Sequence, residues 1–312
     1  MTVYEYKIGN KLPTGECAVA IGFFDGVHLA HRELISEAVA EAGRLGIKSG
    51  VVTFAASSGI KSGTPRIYSG EDRLALFESL GVDIAVVCDF AEIACMSGEE
   101  FVRDALVRDI GAKSVVAGYN FRFGKGASSD ADALCEYMAM SGGRAIIKEA
   151  YLFRDAPLSS TVIRNYLTEG DMESANTALG VPYFITGGVC HGRGVGKKLG
   201  FPTVNLPHPP GRVKLKHGVY RCAALIDGEI YNAVTNVGIC PTFDLDDSHI
   251  EAHLIDFSGD LYDRDVKIYF LGYLREERRF DSPEALAKQI ETDTRRTIEE
   301  NGEKTWQEIG LN

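Results

Sequence analysis

No stretch of this 312-residue sequence comes near the ~18 consecutive apolar residues that a membrane-spanning helix needs. The opening residues, Met1-Thr-Val-Tyr-Glu-Tyr-Lys7, lack the basic start and apolar run of a secretory leader. Seven cysteines are scattered without a single Cys-x-x-Cys pair, which argues against a zinc ribbon or a disulfide framework and fits a compartment where thiols stay reduced. Cations are outnumbered: 33 Lys and Arg against 44 Asp and Glu give a net charge of −11, and no basic cluster offers the counterion release that nucleic-acid binding uses. Internal repeats and low-complexity linkers are also missing. These absences lead us to expect a cytoplasmic protein with neither a membrane nor a nucleic acid as partner. They carry no statement of oligomeric state.

The length suits two domains, and a 45% hydrophobic content is ordinary for a globular chain. The first half alternates strand-like runs with amphipathic ones. Ala18–Phe24, Val51–Phe54, Ile84–Cys88, Ser114–Ala117 and Ala145–Ile147 read as strands. Leu34, Ile35, Ala38, Val39, Ala42 and Leu45 share one helical face, and Ser97-Gly-Glu-Glu100 has the form of a capping box before Phe101, Ala105 and Leu106. Such alternation predicts a parallel sheet with helices on both faces. After Gly180-Val-Pro182 the texture changes to short strands over Val219–Ile226, Tyr231–Val237, Ile250–Phe257 and Val266–Leu271, with a hairpin signal at Asp227-Gly228. That pattern predicts an all-β antiparallel, Greek-key-like barrel. A terminal helix from Pro283 to about Glu299, capped by Ser282, should turn Leu286, Ile290 and Ile298 inward. The expected domains are 1–182 and 183–312.

Chemistry concentrates in two places. Gly188-Val-Cys-His-Gly-Arg-Gly-Val-Gly-Lys-Lys-Leu-Gly-Phe-Pro-Thr-Val-Asn-Leu206 joins glycines, which let a backbone approach phosphates closely, to paired lysines. Its Thr203 hydroxyl and Asn205 amide offer hard oxygens to Mg²⁺. No helix-forming run follows the lysines, so this is not a Walker loop. In the first half, Gly22-Phe-Phe-Asp-Gly-Val-His-Leu-Ala-His31 ends a strand, turns on glycines and opens a helix. His28 and His31 then share one side of a first turn whose free N–H groups and dipole favour a triphosphate.

The first of these segments resembles the riboflavin kinases, whose mark is a glycine-rich flap before Gly-Phe-Pro-Thr-x-Asn, here Gly200 to Asn205. The likeness continues through Gly218-Val-Tyr220, Asn236-Val-Gly238, Pro241-Thr-Phe243 and Ile250-Glu-Ala-His-Leu-Ile-Asp-Phe257, and on to Leu274-Arg275 and Phe280-Asp-Ser282. The second segment resembles the His-x-Gly-His signature of nucleotidyltransferases. In the form Phe-Asp-Gly-Val-His it is similar to the adenylyltransferase half of bacterial bifunctional riboflavin kinase/FAD synthetases. Gly118-Tyr-Asn-Phe-Arg-Phe-Gly124 and Leu158-Ser-Ser-Thr-Val-Ile-Arg164 are similar to that family's second and third signatures.

The resemblance implies a Rossmann-like nucleotidyltransferase domain followed by a kinase barrel. It implies that riboflavin is phosphorylated to FMN with ATP and Mg²⁺, and that FMN is adenylylated to FAD with release of pyrophosphate. In the kinase half, Glu251 would be the catalytic base and Thr203 and Asn205 the magnesium ligands. Gly194, Gly196, Lys197, Gly200 and Pro202 would line the nucleotide, while Arg275 and Phe257 would meet the flavin. In the adenylyltransferase half, His28, His31 and Arg164 would be catalytic. Gly22, Phe24, Asp25, Gly26, Asn120, Ser159, Ser160 and Thr161 would bind the nucleotide. The remainder of the charged run Arg275-Glu-Glu-Arg-Arg279 reads as a solvated strand end. Three departures from the family pattern stand out: Ala30 lies between the two histidines, Ala55-Ala-Ser-Ser-Gly59 replaces a Pro-His-Pro loop, and Ala127-Ser-Ser-Asp130 lacks the usual arginine and glycine. Two alternatives therefore stay open: a kinase alone, with a degenerate adenylyltransferase domain, and a noncatalytic flavin-binding protein.

Overall fold

Strands buried on both faces read as unbroken apolar runs, and Cys17–Ile21, every residue of which is buried, is such a strand. A computed structural model describes residues 1–55, 63–191, 200–239 and 248–302. Within it the chain forms two compact units, Met1–Thr64 with Tyr68–Ser160, and Pro65–Ile67 with Thr161–Asn312.

The first unit is built on β1 (Thr2–Tyr6), β2 (Cys17–Ile21), β3 (Lys48–Phe54), β4 (Ile84–Cys88), β5 (Ala112–Gly118) and β6 (Arg144–Lys148). They form one parallel sheet in the order β1-β4-β3-β2-β5-β6. From β2 the chain crosses to β3 on one side, and from β5 to β6 on the other, so the gap between β2 and β5 is the topological switch point where α/β sheets bind ligands. Helix α1 (Leu29–Leu45) packs on this sheet through Ile35, Ala38 and Ala42. Leu45, expected inward, is 48% exposed because the helix stops there at Gly46, whose φ of 66° turns the chain toward β3. The inward place goes instead to Glu41, fully buried and held by Arg44 and Arg144.

The capping box at Ser97 and Glu100 forms as read. Phe101–Asp109 behind it is wound as a π-helix, with Ile110 N–H reaching Ala105 O at 3.0 Å, and it still buries Phe101, Ala105 and Leu106. A short hairpin, β7 (Leu152–Phe153) and β8 (Ala156–Pro157), precedes the helix Ser160–Glu169. Strand β1 escaped the sequence reading because it is an edge strand with a single partner, and only Tyr6 of its five residues is buried.

The second unit contains β9 (Tyr183–Gly188), β10 (Thr203–Pro207), β11 (Gly218–Ile226), β12 (Glu229–Ile239), β13 (Ser248–Leu254) and β14 (Asp265–Arg275). They are ordered β10-β13-β12-β11-β14-β9, and every pair is antiparallel. Strands β11 to β13 form a meander and β14 returns beside β11, which is the Greek-key order. The chain after β9 then meets β10, where Cys190 N–H donates to Asn205 O at 2.8 Å, and this bridge closes the sheet into a barrel. Asp227 and Gly228 both have positive φ, 54° and 86°, as a two-residue hairpin loop matched to strand twist requires.

The inner face of the barrel is apolar, carrying Tyr220, Cys222, Ala252, Ile250 and Phe270. The terminal helix, Pro283–Asn301, begins at Ser282, whose hydroxyl accepts from Ala285 N–H. Its buried residues are polar: Asp293, Thr297 and Asn301 lie on one stripe, and Asp293 and Asn301 bond to the barrel, Asp293 to Arg275 and Asn301 Nδ2 to Asn232 Oδ1 at 2.7 Å. Ile298 lies off that stripe and is 45% exposed, correcting the expectation that it faces inward. Asn176 ties the preceding helix, Met172–Leu179, to the same barrel, donating to Phe270 O and accepting from Tyr183 N–H.

Candidate active sites

In the first unit the loop between β2 and α1 lies at the switch point and brings Gly22, Phe24, Asp25, Gly26, His28 and His31 into one short arc. Its backbone is strained: Phe24 (φ 52°) and β-branched Val27 (φ 42°) both sit in the left-handed region, at a cost on the order of 1–3 kcal/mol each. Packing and polar contacts hold that shape. The Phe24 ring meets Phe77 and His31 edge-on at 5.9 and 5.2 Å. Buried Arg73 donates to Phe23 O at 2.7 Å and Phe54 O at 3.1 Å, and Thr53 Oγ1 donates to Phe23 O at 3.1 Å. Arg32 Nε donates to Val27 O at 3.0 Å, and burial draws its guanidinium below its usual pKa.

His28 occupies the N-cap of α1 with extended backbone, and its ring stacks on that of His31 with centroids 3.6 Å apart and planes 17° off parallel. The three-residue spacing read from the sequence therefore does put both imidazoles on one side of the first turn. Asn120 stands exposed in the turn just after β5, across the switch point, where Phe121 N–H closes back on Gly118 O. Of the third signature, Ser159 and Ser160 end the first unit, whereas Thr161 and Arg164 belong to the second, in which Arg164 Nε donates to Pro65 O at 2.7 Å. Arg73 and Thr53 were missed, since a lone arginine in a helix and a threonine in a strand carry no sequence signal of holding a loop.

The second unit presents a cavity of about 300 Å³ on the outer face of the barrel, between the sheet and the terminal helix. Antiparallel register explains who lines it. Asn205 stands opposite Glu251 and Glu251 opposite Asn236, while Thr203 and Val234 flank His253 and Val219 stands opposite both Asn236 and Arg275. Side chains that alternate to this face thus meet in a row. Thr203 Oγ1 donates to Glu251 Oε1 at 2.6 Å, His249 Nε2 lies 2.6 Å from Asn205 Oδ1, and His253 Nδ1 donates to Pro202 O at 3.0 Å. Asn236 Nδ2 donates to Glu277 Oε1 at 2.9 Å.

Arg275 is forked onto Asp293 of the terminal helix, Nε and a terminal nitrogen reaching one carboxylate oxygen at 3.0 and 2.8 Å, with its guanidinium 5.8 Å from the Phe280 ring centre. Gly218 permits this arrangement: at φ 147° it passes so near Arg275 that an added Cβ would lie 2.6 Å from the Arg275 carbonyl oxygen. Val219, Val234, Leu286 and Ile290 make the other wall apolar. A flat, largely apolar ligand with a polar tail fits such a lining.

Of the predicted residues, Glu251, Thr203 and Arg275 line this cavity, and Asn205 sits in the same row, 6% exposed. Gly200 and Pro202 are exposed beside it. Phe257 packs edge-on against Tyr231 at 5.1 Å and is not among the lining residues. Gly194, Gly196 and Lys197 lie outside the described residues, as do Pro241–Phe243 and Ala56–Gly59. The hydroxyl of Thr203 and the amide oxygen of Asn205 are hard donors on alternate residues of one strand face, a set that suits a magnesium ion. His249, Asp293 and Phe280 went unassigned in the sequence reading. His249 had a signal, standing two residues before Glu251 in an alternating strand; Asp293 had none.

Residues 11–162 match the family model described as FAD synthetase and residues 179–300 the one described as riboflavin kinase. The chain is 34% identical over 297 residues to the bifunctional riboflavin kinase/FMN adenylyltransferase of Bacillus subtilis (strain 168), covering 92% of this chain and 93% of that one. It is 36% identical over 289 residues to the protein of the same description from Pseudomonas fluorescens, covering 89% and 90%. A crystal structure described as a macrolide-efflux protein from Streptococcus pneumoniae superposes with a TM-score of 0.85 at 28% identity, covering 95% of this chain and 99% of that one.

Proposed function

The chain belongs to the bifunctional riboflavin kinase/FMN adenylyltransferase family, and from that premise we propose how its two halves divide the chemistry. It uses ATP to phosphorylate riboflavin and then adenylylates the resulting FMN to FAD, releasing pyrophosphate. The proposed division is 1–182 for adenylyl transfer and 183–312 for the kinase. No helix among the described residues is long and apolar enough to cross a membrane, and the efflux named for the pneumococcal structure is not proposed for this chain. The same reading puts the enzyme in the cytoplasm, with small molecules rather than nucleic acid as its partners.

The observation that carries the kinase reading is the Thr203–Glu251 hydrogen bond at the polar end of an otherwise apolar cavity. Riboflavin lies in the cavity with its ring system against Val219, Leu286 and Phe280. Its primary ribityl hydroxyl reaches Glu251, which takes the hydroxyl proton as the oxygen attacks the γ-phosphorus of ATP. By donating to Oε1, Thr203 keeps the carboxylate aimed and retains its own lone pairs. Thr203 and Asn205 would hold magnesium, which supplies neutralisation of phosphate charge when bound. Gly194, Gly196, Lys197, Gly200 and Pro202 are proposed as the phosphate flap on sequence alone, and Arg275 as a flavin contact fixed by Asp293.

For adenylyl transfer, the FMN phosphate attacks the α-phosphorus of a second ATP and pyrophosphate leaves, with no covalent enzyme intermediate. The stacked imidazoles of His28 and His31 stabilise charge on the oxygens in flight, at a helix start that already favours anions. Gly22, Phe24, Asp25 and Gly26 shape the arc around the nucleotide, and Asn120 aligns it. Ser159, Ser160, Thr161 and Arg164 are proposed from the third signature to hold the β- and γ-phosphates. The test is to incubate the full chain with riboflavin, excess ATP and Mg²⁺ and to resolve the flavins over time. FMN followed by FAD is expected. Persistent FMN would leave a kinase alone, and unchanged riboflavin would leave a flavin-binding protein.

A further inference from the structure

Asn205 differs from the other donors in the kinase half in having two unlike ends. Its Oδ1 can serve a cation, whereas its Nδ2 carries hydrogens and repels one. The side chain is 6% exposed, so solvent does little to choose between them. One neighbour favours the oxygen. His249 Nε2 lies 2.6 Å from Oδ1, and because an amide oxygen only accepts, the imidazole must present its N–H there. With the ring in this Nε2–H form, turning the amide over would set Nδ2 hydrogens against that N–H and lose the bond, and only an exchange of the ring to its Nδ1–H tautomer would restore it. The contact follows from register: His249 stands opposite Pro207, and Asn205 opposite Glu251, so the two are diagonal neighbours on the cavity side of the sheet. On its other flank His249 faces Gly238, which has no side chain to compete for the ring. The Asn205 backbone is pinned as well, its carbonyl accepting from Cys190 N–H at 2.8 Å.

We propose that His249 is a positioning residue for the magnesium site of the kinase half. By donating to Asn205 Oδ1 it fixes the amide with its oxygen, not its nitrogen, available to the cation, engaging one lone pair and leaving the second. The inference rests on the assignment of Thr203 and Asn205 given above. Groups that orient a metal ligand in this way typically contribute about 10- to 100-fold to metal affinity.

The test compares His249→Phe, which keeps a flat ring without the donor, with His249→Gln, whose Nε2 can occupy the place of the imidazole Nε2. Riboflavin fluorescence is titrated with Mg²⁺ in the presence of ADP on the full chain, which reads assembly of the kinase complex without turnover. The Mg²⁺ midpoint should rise about 10- to 100-fold in His249→Phe and return to within a few-fold of the parent in His249→Gln. In steady state the Mg²⁺ requirement of FMN formation should shift by the same factor, while that of FAD formation from supplied FMN stays unchanged. If the phenylalanine variant does not fold, His249→Asn, whose amide falls short of the Nε2 position, should show the same weakening. An unchanged midpoint, an equal loss in the glutamine variant, or a parallel shift in FAD formation would each overturn the proposal. A parent chain that makes no FMN would instead remove the functional reading beneath it.

Discussion

Thr203 and Glu251, diagonal neighbours on β10 and β13, are joined by a hydroxyl-to-carboxylate hydrogen bond of 2.6 Å. The carboxylate can both accept that bond and take up a proton from the flavin hydroxyl, whereas an amide in its place can do only the first. Glu251→Gln should therefore lower FMN formation by about 10²- to 10⁴-fold, the usual worth of a positioned base. FAD formation from supplied FMN should persist in the same preparation, as chromatography of the flavin products would show.

The stacked pair His28 and His31 gives the complementary result. His28→Ala should reduce FAD formation by about 10²- to 10³-fold, the loss seen when one donor to a developing oxyanion is removed, and FMN should accumulate. Equal loss of both products would contradict separate sites.

Asp293 is 4% exposed and accepts from Arg275 at three distances between 2.8 and 3.2 Å. Asp293→Ala leaves that guanidinium without its partner beneath the terminal helix and should lower stability by about 3 kcal/mol in urea unfolding. It should also raise the KM for riboflavin more than it lowers kcat, because Arg275 lines the cavity.

Thiol chemistry tests the two cores. Burial pushes the Cys17, Cys88 and Cys222 thiols up to about 12, while Cys95 and Cys135 are exposed. Iodoacetamide at about pH 8 should label Cys95 and Cys135 in the native protein and reach the buried three only after denaturant is added, as peptide mass mapping would report. Rapid native labelling of Cys222 would contradict the closed barrel.

The sequence was most legible where one periodicity met one environment. Ile84–Cys88 and the Ser97 capping box came out as read because a doubly buried strand and a reciprocal cap leave little else for those residues to do. The terminal helix was found, but its docking was misjudged: hydrophobic periodicity pointed to Ile298, whereas the helix is seated by polar bonds through Asp293 and Asn301 that no hydropathy pattern registers. The catalytic candidates were legible because Pro-Thr-x-Asn and Phe-Asp-Gly-Val-His are dense local strings. Their supports were not, since Arg73 and Asp293 act across 50 and 18 residues of chain, and only folding brings them to Phe23 and Arg275.

Among the described residues the barrel is a hoop buckled at one clasp, and Asn205 is one of its two prongs. Its carbonyl fastens the seam while its amide, on the neighbouring bonds, serves the proposed cation. Whatever grips that amide also tightens the circumference, so a loaded kinase half should resist fraying at Cys190, and an empty one should loosen there first.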